Sequence, residues 1–171
     1  MSKKPAVSNA SPLIWLAKIG KLDLLKALFG KVVIPKRVYI EAVSEEKAPD
    51  AILIEDAVKG GWVEVSEEKL EDSTILAEAA RIHLGEAEAI LLARKLGADL
   101  IVDEKEASET AHIFGVTTIG TVAVLLLGLA RGMLTFAEFK ESLDGLISLG
   151  FWLSVDVYNR AIEEARSLSE E

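Results

Sequence analysis

The chain has no cysteine among its 171 residues. Disulfides and thiolate metal sites are therefore excluded, and this composition suits a reducing compartment. Aromatic residues make up only 6% of the sequence, so a platform of stacked bases is not predicted. Long apolar runs are missing too. The longest, at 122–130, is far shorter than the roughly 20 residues that cross a bilayer. Residues 1–5 show no secretory signal, so we expect a soluble, cytoplasmic protein without a membrane segment.

Basic residues are fewer than acidic ones. The counts, 19 Lys and Arg against 28 Asp and Glu, give a net charge of −9. A protein that binds nucleic acid non-specifically by neutralising phosphates is normally basic, so that class is disfavoured. An enzyme with clustered carboxylates is less disfavoured, because such a site stays negative until cations bind. A basic partner protein would also fit this charge.

Short runs of valine and isoleucine alternate with helical patterns along the chain. Strands are predicted at 5–8, 32–34, 62–65, 98–102, 116–119 and 151–154. Helices are predicted between them, the first capped by Ser11 and the last by Asp156 and ending at Glu171. This order predicts a three-layer α/β/α sandwich with a mainly parallel central sheet. We expect a single domain over 1–171, in which 150–171 form a C-terminal strand and helix.

Four oxygen-bearing side chains lie where apolar segments begin or end: Asn9, Glu41, Glu86 and Asp103. An unpaired charge near a core is costly, and a metal ion or cationic partner relieves that cost. Ligands of parallel sheets collect at the carboxyl ends of the strands, which Asn9 and Asp103 directly follow. Oxygen ligands suit Mg²⁺, which polarises a phosphate and activates the attacking water. The constellation predicts a phosphodiesterase that depends on Mg²⁺ or Mn²⁺.

Each of these residues also has an ordinary structural interpretation. Glu41 fits a solvated helix position, and Glu86 and Glu88 fit first-turn acids that favour the helix dipole. Asp103 fits the N-cap of the following helix. The joint placement of these residues, rather than any one of them, favours a site. His83 is interpreted as a packing or surface residue, and no phosphate-binding glycine loop is present.

Four blocks of the sequence resemble PIN-domain proteins, and more narrowly a prokaryotic branch related to VapC-type toxins. The blocks are VSNASPLI at 7–14, VIP at 33–35 with EAV at 41–43, LGEAEAI at 84–90, and LIVDE at 100–104 with GV at 115–116 and IGT at 119–121. They follow one another in family order over nearly the whole chain. The resemblance implies an α/β/α sandwich with a parallel sheet, metal-dependent ribonuclease activity and frequent homodimers. It also implies a toxin–antitoxin context, in which a small antitoxin protein occludes the acidic site.

Carried over position by position, the resemblance implies a set of site residues. It makes Glu41, Glu86 and Asp103 catalytic, and it gives metal ligands at Asn9, Glu41, Glu86 and Asp103. It further implies a hydrogen-bonding role for Ser11 and a second metal site with the secondary candidates Glu88 and Glu104. The chain departs from the family at Asn9, where Asp is usual. An amide oxygen still ligates Mg²⁺, but the loss of a charge should weaken metal affinity.

Two alternatives to an RNA-cleaving enzyme stay open. The first is a catalytically silent PIN fold that binds a protein partner or forms oligomers, and Asn9 favours it. The second is a receiver-like phosphoacceptor domain, which also places acids and Mg²⁺ at strand ends. That reading ranks last, because the late strand end at 118–120 carries no lysine.

Overall fold

The computed structural model describes residues 3–170. The chain forms two compact units, Met1–Gly120 and Thr121–Glu171. Strands of the first unit are β1 (Ala6–Ser8), β2 (Val32–Pro35), β3 (Val63–Ser66), β4 (Asp99–Ile101) and β5 (Thr118–Ile119). Its helices are α1 (Ala10–Lys18), α2 (Asp23–Phe29), α3 (Lys36–Ala42), α4 (Pro49–Lys59), α5 (Ser73–Ala80), α6 (Leu84–Leu96) and α7 (Lys105–Ile113).

The five strands form one sheet in the order β3-β2-β1-β4-β5, and every pairing is parallel. The central strand β1 pairs Val7 with Val33 on one side and with Leu100 on the other. The chain runs outward from β1 to β3 and then returns to β4, so strand order reverses between β1 and β4. Such a switch point is where ligands of open α/β sheets bind. The predicted α/β/α class with a parallel sheet is confirmed.

Alternate residues of the central strands build one continuous core. Val7 and Leu100 pack in a cluster with the apolar sides of α6 and α7, which include Ile90 and Ala107. The intervening residues, such as Ile101, are fully buried as well. Both faces of the sheet are therefore covered, which explains why the strands are apolar without alternation. Full burial of each large aliphatic side chain stabilises the fold by about 1.5–3 kcal/mol.

The second unit consists of the helices α8 (Thr121–Ala130), α9 (Phe136–Ser148) and α10 (Val155–Glu170), which pack against one another. Helix α9 begins with a capping box. The Thr135 hydroxyl accepts the Glu138 N–H at 3.1 Å, and a Glu138 carboxylate oxygen accepts the Thr135 N–H at 2.8 Å. Among the described residues, no helix is long and apolar enough to cross a membrane.

Three predictions about where elements lie or begin are wrong: the strand at 151–154, the cap at Asp156 and the cap at Ser11. Residues 151–154 form no strand, and Trp152 is 85% exposed. A strand needs a partner for its backbone groups, whereas here the Ser154 hydroxyl accepts the Val157 N–H and caps α10. Asp156 is therefore not the cap. Helix α1 follows Asn9 at its N-cap, so Ser11 is not the cap either. The predicted end at Glu171 lies outside the described residues.

Candidate active site

Asn9 lies at the carboxyl end of β1, where the chain leaves the sheet and enters α1. Its backbone N–H still donates to the Ile101 carbonyl at 2.9 Å, which holds it against β4. The side chain is only 4% exposed, and Nδ2 donates to Oε2 of Glu104 at 3.3 Å. Oδ1 is buried without a hydrogen-bond partner among the described residues. A buried oxygen left in this state costs about 1–3 kcal/mol, so this position favours an electropositive ligand.

Glu104 joins the two strands at the switch point. It follows β4 at the N-cap of α7, and its second carboxylate oxygen, Oε1, accepts the Ser11 hydroxyl at 3.0 Å. Asn9 and Ser11 both belong to the start of α1, so one carboxylate links β4 to the end of β1. The secondary candidate Glu104 therefore contacts both the primary candidate Asn9 and the other secondary candidate Ser11.

Glu86 is the most buried acid of the group, with 5% of its surface exposed. It lies in the first turn of α6, and its Oε1 accepts the His83 N–H at 3.0 Å, so the first-turn interpretation is also correct. Burial raises the pKa of Glu86, the His83 hydrogen bond lowers it, and the charges of Glu104 and Glu41 raise it further. Glu86 thus accepts a hydrogen bond from the N-cap residue of α6 and is also part of a group of acids that repel one another.

Glu41 reaches from α3 across the backbone of α6. A Cβ atom added to Gly85 would lie 2.9 Å from Oε1 of Glu41 and 3.3 Å from Oε2. Glycine at this position therefore leaves the space that the carboxylate occupies. Burial raises the pKa of Glu41, and the positive charge of Arg37 lowers it. Nearby His83 lowers the pKa as well.

Glu88 points to a different partner. Its Oε1 accepts the Arg37 Nε–H at 3.2 Å, which forms an ion pair between α6 and α3. The charge of Glu88 also raises the pKa of Glu41, so the two carboxylates are close enough to interact. The structure thus gives Glu88 a cationic partner from the protein itself.

Asp103 is the second residue after the end of β4 and is half-buried. A Cβ atom on Gly120 would lie 3.3 Å from Oδ1 of Asp103, so a second glycine leaves room for a candidate carboxylate. The N-cap of α7 is Glu104, so the interpretation of Asp103 as that cap is wrong. Asp103 thus lies beside the residue that follows β5.

The donor atoms suit a hard divalent cation. Carboxylate oxygens and the unpaired amide oxygen of Asn9 are the ligand types that Mg²⁺ prefers. Burial is the main cause of the raised pKa values at Glu41 and Glu86, and the charges of neighbouring acids raise them further. Residues 3–170 contain no group of three acidic or histidine side chains already placed to hold an ion.

A comparison with known families decides the relationship. The family model DUF3368, a PIN domain, matches residues 5–167. The chain belongs to the PIN-domain family. PIN domains have a nuclease-type fold and generally use divalent metal ions. No curated protein and no solved structure gives a significant match.

Two cavities give solvent access to the acids of this PIN domain. The smaller has a volume of about 310 Å³ and is lined by Arg81, Ile82, His83, Glu86, Glu104 and Glu106. The larger, about 490 Å³, lies between α3 and the loop after β3, and both Glu41 and Glu88 line it. The acids are thus reached from two sides of α6.

Sequence reasoning ranked some contributors to this PIN-domain site too low. Glu104 was a secondary candidate, although it contacts Asn9 and Ser11. Arg37 was not predicted, although its position four residues before Glu41 on one helix is a usable signal. His83 was interpreted as a packing or surface residue; it is exposed, but it also supplies the N–H that Glu86 accepts.

Proposed function

We propose that this PIN domain is a metal-dependent ribonuclease that hydrolyses phosphodiester bonds with Mg²⁺ or Mn²⁺. The observation that carries the proposal is the buried Oδ1 of Asn9, which has no hydrogen-bond partner among the described residues, while the NH₂ group of the same amide contacts Glu104 at the switch point of the sheet. Neither a structural cap nor a solvated surface explains an oxygen left in this state. Asn9, Glu41, Glu86 and Asp103 would hold the cation, and Ser11, Glu88 and Glu104 would support them.

The chain's own residues have distinct parts in this chemistry. When bound, a divalent cation supplies charge stabilisation for the phosphodiester and lowers the pKa of water. Burial and the neighbouring acids raise the pKa values of Glu41 and Glu86, so a cation held between these carboxylates would stabilise their charged forms. Glu104 fixes the Asn9 amide through its hydrogen bond. The two cavities provide the approach for an RNA strand.

The cellular role that we propose is a toxin-like component of a toxin–antitoxin system in the cytoplasm. The net charge of −9 favours a basic antitoxin segment that covers the acidic site. We also propose one functional domain over 1–171 that acts as a homodimer. Support for one functional domain comes from the family match, which spans both compact units.

Cleavage assays with matched variants test the activity. Asp103→Asn and Glu41→Gln should each abolish metal-dependent cleavage of an RNA pool, whereas melting curves should show that both variants fold. Asp99→Asn is the control, because Asp99 lies on β4 and faces Lys4 at 3.7 Å instead of the acidic group. Normal cleavage by Asp103→Asn or Glu41→Gln would remove that residue from the mechanism. Loss of cleavage in Asp99→Asn would show that the assay responds to general damage to the fold rather than to the acidic group.

A second candidate function is a silent PIN fold that binds a protein partner. The neutral Asn9 favours it, as does the lack of a ready-made group of three metal-binding side chains among the described residues. Calorimetric titration with Mn²⁺ separates the two functions. Binding that is lost in Asp103→Asn supports the nuclease, and no binding at millimolar Mn²⁺ supports the silent fold.

A further inference from the structure

The contact between Asn9 and Glu104 fixes the orientation of the Asn9 amide. Only the NH₂ group of an amide can donate to a carboxylate, and Nδ2 does so at 3.3 Å. Oδ1 is therefore turned away from Glu104, and it is the atom left without a partner. The Ser11 hydroxyl holds the other carboxylate oxygen of Glu104 at 3.0 Å. The direction of the Asn9 oxygen thus depends on a charge located 95 residues later in the chain.

An aspartate at position 9 would not fit this arrangement. It has no N–H to donate at neutral pH, and it would place a second negative charge against Glu104 at about the observed 3.3 Å. Glu104 also adds negative potential at Glu41 and at Glu86. Glu104 is thus the member of the acidic group that contacts residue 9. Residue 9 itself is a neutral amide in this chain.

We propose that Asn9 and Glu104 act as one unit, in which Glu104 supplies to the cation site the negative charge that Asn9 lacks and orients the Asn9 oxygen. The inference rests on the proposed metal-dependent function. It predicts that the charge is exchangeable: a carboxylate at position 9 and an amide at position 104 should serve as well as the natural pair. Metal affinity should then follow the number of charges on the pair, regardless of which position carries them.

Three variants and a control test this exchange. Asn9→Asp adds a charge, Glu104→Gln removes one, and the double variant restores the natural number in reversed order. Glu109→Gln is the control, because Glu109 is an exposed acid on the same helix that faces Lys105. Each protein is titrated with Mn²⁺ by calorimetry, and its melting temperature is measured without metal.

We expect Glu104→Gln to weaken Mn²⁺ binding by roughly 10- to 100-fold, the range for losing a group that orients a ligand. The double variant should return to within about threefold of the natural affinity, as should the control. Without metal, Asn9→Asp should lower the melting temperature by roughly 5 °C through the new repulsion. Adding Glu104→Gln should recover most of that loss, because the Gln amide then donates to the new carboxylate.

The outcomes separate this inference from the proposed function. If the natural protein binds Mn²⁺ and Glu104→Gln binds it equally well, the role of Glu104 is refuted and the nuclease proposal stands. If the natural protein does not bind Mn²⁺, both are refuted. A double variant that recovers neither affinity nor stability would refute the exchange. If Asn9→Asp does not fold alone, Glu104→Gln and the double variant still decide the question.

Discussion

Replacement of Gly85 by alanine should change stability and metal binding in opposite directions. Gly85 is the second residue of α6, and its backbone is not in the left-handed region, so alanine is compatible with the helix. Alanine there should add about 0.5–1 kcal/mol through helix propensity. For a chain of this size the gain corresponds to a rise in melting temperature of about 2 °C.

The same methyl group interferes with Glu41. Its carbon would lie 2.9 Å from Oε1 of Glu41, whereas ordinary contact begins at 3.4 Å, so the oxygen must retreat by roughly 0.5 Å. The carboxylate is the free end of a flexible side chain, so this movement costs little in folding. A metal ligand, however, must lie within about 0.2 Å of its proper distance. We therefore expect Mn²⁺ affinity to fall roughly tenfold or more.

Calorimetry with Mn²⁺ and thermal melts on the same samples measure both effects. The double variant Gly85→Ala with Glu41→Gln is the control. If the methyl group acts through Glu41, the double variant should bind Mn²⁺ no more weakly than Glu41→Gln alone. Unaltered affinity in a well-folded Gly85→Ala protein would refute a metal-binding role for Glu41. A melting temperature lowered by several degrees would show that the neighbouring atoms cannot move as assumed.

Three further predictions concern single groups. Glu86→Gln should raise the melting temperature of the metal-free protein, because burial raises the pKa of Glu86 and disfavours its charged form. The rise in melting temperature that Mn²⁺ causes should vanish in this variant. An unchanged melting temperature of the metal-free variant would contradict the prediction. The folded-state pKa values of Glu41 and Glu86 lie above 4.5, so the unfolded chain releases these protons at lower pH than the folded chain does. The protonated carboxyl groups therefore make their full contribution to the free energy of unfolding below pH 4.5. This contribution is lost as the pH rises through the folded-state pKa values. Urea unfolding from pH 4.5 upward should then show a shallower decline in Glu41→Gln than in the natural chain, and an equal decline would argue against it. Thr135→Ala should cost about 1 kcal/mol by removing the α9 cap, whereas Thr135→Ser should retain it; equal melting temperatures for the two would contradict the role of the cap.

The sheet was largely predictable from sequence because its strands are short apolar runs with clear ends. The prediction at 32–34 differs from β2 by one residue, and that at 98–102 contains β4. The failure at 151–154 has a physical cause: aromatic residues such as Phe151 and Trp152 indicate that a segment fits a sheet, but not that a partner strand lies beside it. Pairing is a long-range property that local composition does not contain.

The site was predictable as a set of residues but not as a set of contacts. The position of Asn9 and Asp103 after strands follows from the order of the strands. The contact of Glu104 with Asn9 does not, because it depends on the backbone path after β4 and on side-chain rotamers, which the order of the strands does not determine. Likewise, the approach of Glu41 to Gly85 depends on how α3 packs on α6.

The two edges of the sheet bear on how the chain behaves at high concentration. An exposed edge strand offers unpaired backbone groups to which another molecule can add a strand. One edge, β5, spans only two residues, and the other, β3, carries Glu64, which pairs with Lys31 at 2.9 Å. The charge of Glu64 on β3 and the short length of β5 are features that disfavour strand addition at the sheet edges. We therefore expect helical surfaces, rather than sheet edges, to meet in any contact between two copies.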